Sequence, residues 1–174
     1  MNYLDNGILR EPVKWLYMIM AALNLLFPLW LIYKAIDANM FDYMPAKFII
    51  VFVLIWLVLM AGGIGLAILW WKRKDQLKET PAGDEYPATP VAASIIRTFG
   101  EWIGLYIGVV LFLVSLIALI FGADSLGSAL DLPISAGLVS IILLPIWGLL
   151  TIIGTRFFAE QILALIAIAK NTKK

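Results

Sequence analysis

The sequence predicts an all-α integral membrane protein with four transmembrane helices arranged as two helical hairpins. It adds an interfacial lead-in helix before the third span and a cytoplasmic helical extension after the fourth. Three observations carry this. Four long apolar runs occupy residues 13–33, 48–71, 100–122 and 134–155. Each is long enough to cross a hydrocarbon core of about 30 Å as a helix rising about 1.5 Å per residue. The composition, 63% hydrophobic and only 14% charged over 174 residues, lies outside the range of soluble domains. Finally, Lys and Arg cluster in alternate polar breaks. Removing the spans leaves too little chain for a separate aqueous domain, so residues 1–174 read as one membrane domain.

Residues 1–11 form a short polar leader, and the first span begins near Pro12, where a first-turn proline costs no helical hydrogen bond. Trp15 and Tyr17 at one end, and Trp30 and Tyr33 at the other, read as aromatic belts. Inside the run, Pro28 cannot donate to the carbonyl of Asn24, which predicts a kink. The Asn24 side chain is read as helix-packing glue, with a substrate contact as the lesser alternative.

Span two ends in Trp70-Trp71 followed by Lys72-Arg73-Lys74, an aromatic anchor and a basic stop that also attract anionic head groups. Within it Gly62, Gly63 and Gly65 thin the helix and admit a close neighbour. Residues 72–90, with three prolines and a glycine, form the linker between the hairpins. Thr89-Pro90 then reads as an N-cap and first-turn proline.

At 100° per residue, Val91, Ile95, Phe99 and Trp102 share one face of residues 91–99 and the turn beyond. Ser94, Arg97 and Glu101 take the other face, as in an amphipathic lead-in helix. Gly100, Gly104 and Gly108 follow as small-xxx-small steps that offer a tight packing groove. The fourth run continues to about residue 169, so about 36 residues rise about 54 Å, well beyond one bilayer core. The excess, residues 156–169, is a tail with Phe158, Ile162, Leu165, Ile166 and Ala169 in a stripe. It is more apolar than a freely solvated helix and is expected to pack on membrane, lead-in helix or partner.

The segment from Arg156 through Glu160 and Ile168 to Asn171 resembles the ending of a family of short bacterial membrane proteins of unassigned activity. Those proteins carry two spans, then Arg-x-x-x-Glu, an aliphatic run, an Ile and an Asn; here Lys170 stands where the family has an acid. The resemblance spans the last third of the chain. It implies a bacterial inner membrane and supplies no activity.

Both Arg97–Glu101 and Arg156–Glu160 are Arg-x-x-x-Glu pairs at the same predicted boundary. Arg-first order is the weaker i,i+4 orientation, so cross-helix pairing of Glu101 with Arg156 is expected instead. Arg97, Glu101, Arg156 and Glu160 thus form a predicted charge collar, read as a structural clamp or, second, as an ion or head-group site. Gly62, Gly65, Gly100, Gly104, Gly108 and Asn24 are the predicted packing residues.

Lys72, Arg73, Lys74, Lys78 and Arg97 lie between spans two and three, Lys170, Lys173 and Lys174 close the chain, and Arg10 and Lys14 stand at the start of span one, whereas the loop of residues 123–133 has no Lys or Arg. The positive-inside rule puts both termini and the middle linker in the cytoplasm. With no Cys and no His, thiolate chemistry, Cys/His zinc sites and His-ligated haem are excluded within the chain. No metal or cofactor is expected, and no catalytic residue is assigned. Phosphate loops and nucleophile elbows are missing, no ionisable residue falls near mid-span, and nucleic-acid binding is disfavoured. The expected partners are the lipid bilayer and either a membrane or cytoplasmic protein or further copies of the chain. The leading functional expectation is a non-enzymatic scaffold, accessory or regulatory subunit. A homo-oligomeric channel or facilitator comes second and a lipid-modifying enzyme last.

Overall fold

A computed structural model describes residues 6–77, 88–123 and 137–172. The described chain is helical without strands: α1 Asn6–Asp37, α2 Met40–Tyr43, α3 Ala46–Gln76, α4 Ala88–Leu105, a π-helical segment Tyr106–Leu111, α5 Phe112–Phe121 and α6 Leu138–Thr172. Four helical rods, with α4, the π segment and α5 forming one of them, are long and apolar enough to cross a membrane. That is the architecture of a multi-pass membrane protein, in which each span satisfies its own backbone.

Helix α1 starts before Pro12, which lies inside it. The ring removes the donor to one carbonyl, that of Ile8, and Ile8, Leu9, Arg10 and Glu11 extend the helix backward regardless. A salt bridge from Lys14 to Glu11 reinforces that turn. Pro28 and Pro145 likewise sit within continuous helices.

The turn out of α1 depends on Asn39, whose φ of 49° is left-handed; Asn tolerates that region better than most residues. Met44 is extended before Pro45, as pre-proline sterics require, and Pro45 O accepts from Phe48 N–H at 2.9 Å to open α3. At the far end of α5, Gly122 takes φ 60°, and Ala123 N–H reaches Ala118 O at 2.8 Å, closing a Schellman cap.

Helix α1 packs on α3, and α4 with the π segment packs on α6. Two apolar clusters tie these together. One joins Leu31, Phe52, Ile55, Leu59, Val110 and Val114; the other gathers Tyr17, Ala21, Ala67 and Trp70 near the basic end. Residues 91–99, expected as a lead-in that runs or bends into span three, continue without a break into the third rod. The expected capping pair Thr89-Pro90 lies inside α4, one residue after its first helical position. Most of the linker, residues 78–87, and the start of span four, residues 134–136, fall outside the described residues, as does the loop 124–133.

Candidate functional site

One buried carboxylate gathers three arginines. Glu101, on α4, has 5% of its side chain exposed. Arg156 of α6 donates to its Oε1 from Nη2 at 2.7 Å and from Nε at 3.1 Å. Arg97, one turn earlier on α4, donates to the same oxygen from Nε at 3.2 Å. Arg73 of α3 takes Oε2, with Nε at 3.0 Å and a second contact from Nη2. Its remaining amino group, Nη1, donates to Gln76 Oε1. Three helices therefore meet at one side chain, and burial of the acceptor makes each charge-assisted bond stronger than its surface equivalent.

Of the predicted collar, Arg97, Glu101 and Arg156 come together. Glu160 does not: it is exposed and makes no ion pair among the described residues. Arg156 turns back toward the bundle to reach α4, while Glu160, a turn farther along, sits beside Ala159, the covered residue of that turn. Arg73 joins from a run that reads as a topological stop. Its neighbours explain why only it enters: Lys72 is exposed, and Lys74 lies 3.6 Å over the Trp71 ring. The available signal was the basic run itself, since consecutive residues on a helix cannot all face outward.

The face of α4 expected to be polar and solvated turns inward in part. Ser94 and Thr98 meet the Tyr17 hydroxyl, each at 3.3 Å. Tyr17 is thus a fully buried core residue instead of a belt residue. Its ring stands edge-on to Trp70 at 5.1 Å, and Trp70 in turn meets Phe99 at 5.0 Å. Trp15, Trp30, Tyr33 and Trp71 remain exposed, as belt residues are.

Deeper in the bundle, Asn24 serves two partners. Its Nδ2 donates to Met20 O at 2.6 Å, and its Oδ1 accepts from Trp102 Nε1 at 2.9 Å. This joins α1 to α4. The Asn24 carbonyl that Pro28 cannot serve faces Gly63, where a Cβ would stand 2.5 Å from that oxygen. Trp56 Nε1 donates to the Pro28 carbonyl at 2.9 Å, tying α3 to the same turn. An apolar groove of about 510 Å³ runs beside this pair, between Met20, Phe27, Trp30, Leu59 and Tyr106.

The glycine stripe of span three lies against α6. A Cβ at Gly100 would overlap the Thr155 side chain, one at Gly104 would lie 2.6 Å from Gly148 O, and one at Gly108 would lie 3.1 Å from Gly148 Cα. Gly148 is the reciprocal small residue, which spacing within one helix does not reveal. Gly62 faces Val110, but Gly65 has nothing within 4 Å of a Cβ position. Two residues past Gly63, it has turned about 200° away from α1, so Gly63 is the packing residue there and Gly65 is not.

No group of three or more His, Cys, Asp or Glu converges among the described residues. Comparison with protein-family models, curated proteins and solved structures finds no match. The chain is defined by its architecture and site: a multi-pass membrane protein whose buried charge lies at the basic end of the bundle.

Proposed function

We propose that the protein is a non-enzymatic scaffold, accessory or regulatory subunit of a bacterial inner membrane, and that it docks a partner through the tail of α6. In this reading the helices form two hairpins with both termini cytoplasmic, and the start of α4 lies at the interface. The observation that carries it is the overhang of α6. Its 35 residues rise about 52 Å, some 20 Å more than a hydrocarbon core. Past Arg156, Phe157, Phe158, Leu163, Leu165 and Ile168 are all exposed. Apolar surface beyond the hydrocarbon needs a cover, and exposed patches of this kind mark interaction sites. A non-enzymatic role is supported by Glu101, whose carboxylate is already engaged by three guanidiniums.

The test is site-specific photo-crosslinking in cells, with the probe at Phe158 or Leu165 and a control at Ile153. Tail positions are expected to give a discrete protein adduct that Ile153 does not. Lipid adducts alone at Phe158 and Leu165 would replace docking with membrane-surface binding. A conducting homo-oligomer in nanodiscs would favour the channel reading.

A further inference from the structure

The charges around Glu101 do not balance: three guanidiniums face one carboxylate. Arg73 spends its donors inward, on Glu101 and Gln76, and is 14% exposed. The other two are different. Arg97 is 47% exposed and Arg156 48% exposed. Arg97 reaches Glu101 through Nε alone, so both its amino groups remain unspent within the described bundle. Arg156 uses Nε and Nη2 and keeps Nη1. Because both bind the same oxygen, Oε1, their guanidiniums are neighbours, and each side chain is about half exposed.

The shared Glu101 oxygen keeps adjacent two like charges that would otherwise repel. Among the described residues, no other carboxylate pairs with them. Glu160 makes no pair with Arg156, and Asp75 lies beside Lys74 at 4.0 Å. The cluster also sits where the exposed Trp71 gives way to basic residues, the depth at which an aromatic belt meets head groups.

We propose that Arg97 and Arg156, held by Glu101, form a binding site for a phosphomonoester, carried either by an anionic lipid head group or by a soluble phosphate ester. The planar guanidinium fork matches phosphate oxygens in pairs, which an ammonium cannot do. A dianionic monoester also matches the surplus of two positive charges among the described residues of the cluster. The proposal uses none of the exposed tail residues Phe157, Phe158, Leu163, Leu165 and Ile168 and stands independently of the docking reading.

The test uses the full-length protein in neutral phosphatidylcholine nanodiscs, with phosphatidic acid added to one series and glycerol 3-phosphate or inorganic phosphate to another. Bound phosphatidic acid is counted by native mass spectrometry, and the soluble anions are followed by thermal shift. At least one of the two sources is expected to bind saturably. R97Q should weaken that binding about tenfold, the loss of one charge-assisted contact. R97K, which keeps the charge and loses the fork, should still weaken it several-fold. K72Q removes an equal charge from an exposed residue at the same end and should change it less than twofold.

Binding of phosphatidic acid but not glycerol 3-phosphate assigns the site to a lipid; comparable binding of both assigns it to a soluble ester. Saturable binding of neither overturns the proposal. So does an equal loss in K72Q and R97Q, because the attraction would then be the diffuse field of the basic end. Arg73 and Arg156 still hold Glu101 when Arg97 is changed; should R97Q nevertheless fail to fold, R97K against K72Q decides in the same way.

Discussion

Replacing Gly148 with alanine tests the seam between α4 and α6. A Cβ at this position would lie 2.4 Å from Gly104 O, 2.5 Å from Gly108 Cα and 2.7 Å from Gly108 N. All three are backbone atoms of the facing helix, so no side-chain rotation relieves the overlap. Ordinary contact begins near 3.4 Å, so the helices must part by about 1 Å along their shared seam. Overpacking of this kind costs roughly 1–3 kcal/mol. Alanine also favours the helix over glycine by up to about 1 kcal/mol, which partly offsets it. G65A supplies the correction, because it gains the same propensity with nothing within 4 Å. Reversible unfolding in mixed micelles, followed by tryptophan fluorescence, is expected to place G148A roughly 1–3 kcal/mol below G65A. Stabilities for the two variants within about 0.5 kcal/mol of each other would refute close backbone packing at this seam.

Two other interior contacts give sharp expectations. N24L strands the half-buried Trp102 Nε1–H and should cost about 1–3 kcal/mol; adding W102F should recover part of that loss, which a thermal series on the single and double variants measures. Trp70 is fully buried, and its Nε1 has no hydrogen-bond partner among the described residues. W70F therefore loses ring area and no hydrogen bond, and should cost less than half of W70A, for which about 3–5 kcal/mol is expected by the same unfolding assay.

The spans were legible because a bilayer leaves backbone polar groups no partner but the helix itself, so length and apolarity decide. Gly100, Gly104 and Gly108 were legible for a related reason: small residues at four-residue spacing are what allows two backbones to approach. Faces were harder. In a membrane the outside of a bundle is as apolar as its inside, so periodicity does not separate buried from exposed. Tyr17 and Trp15 look alike in sequence, yet Tyr17 is buried against Ser94, Thr98 and Trp70 while Trp15 is exposed. Lys72, Arg73 and Lys74 look equivalent too, and only the phase of α3 turns Arg73 toward Glu101. Gly148 carries no signal until α6 is laid against α4. The π-helical turn at Tyr106–Leu111 is similarly silent; Gly108 within it is the one residue that spacing had marked, and for another reason.

The role of Glu101 as the hub that joins α3, α4 and α6 is tested most directly by a double-mutant cycle with Arg156. E101Q alone strands three guanidiniums around a neutral amide, whereas R156Q alone leaves Glu101 with Arg73 and Arg97. Unfolding free energies of the wild type, E101Q, R156Q and the double variant give the coupling. A coupling of about 1–3 kcal/mol is predicted, with the double variant more stable than the sum of the single losses implies. Additivity within about 0.5 kcal/mol would contradict it.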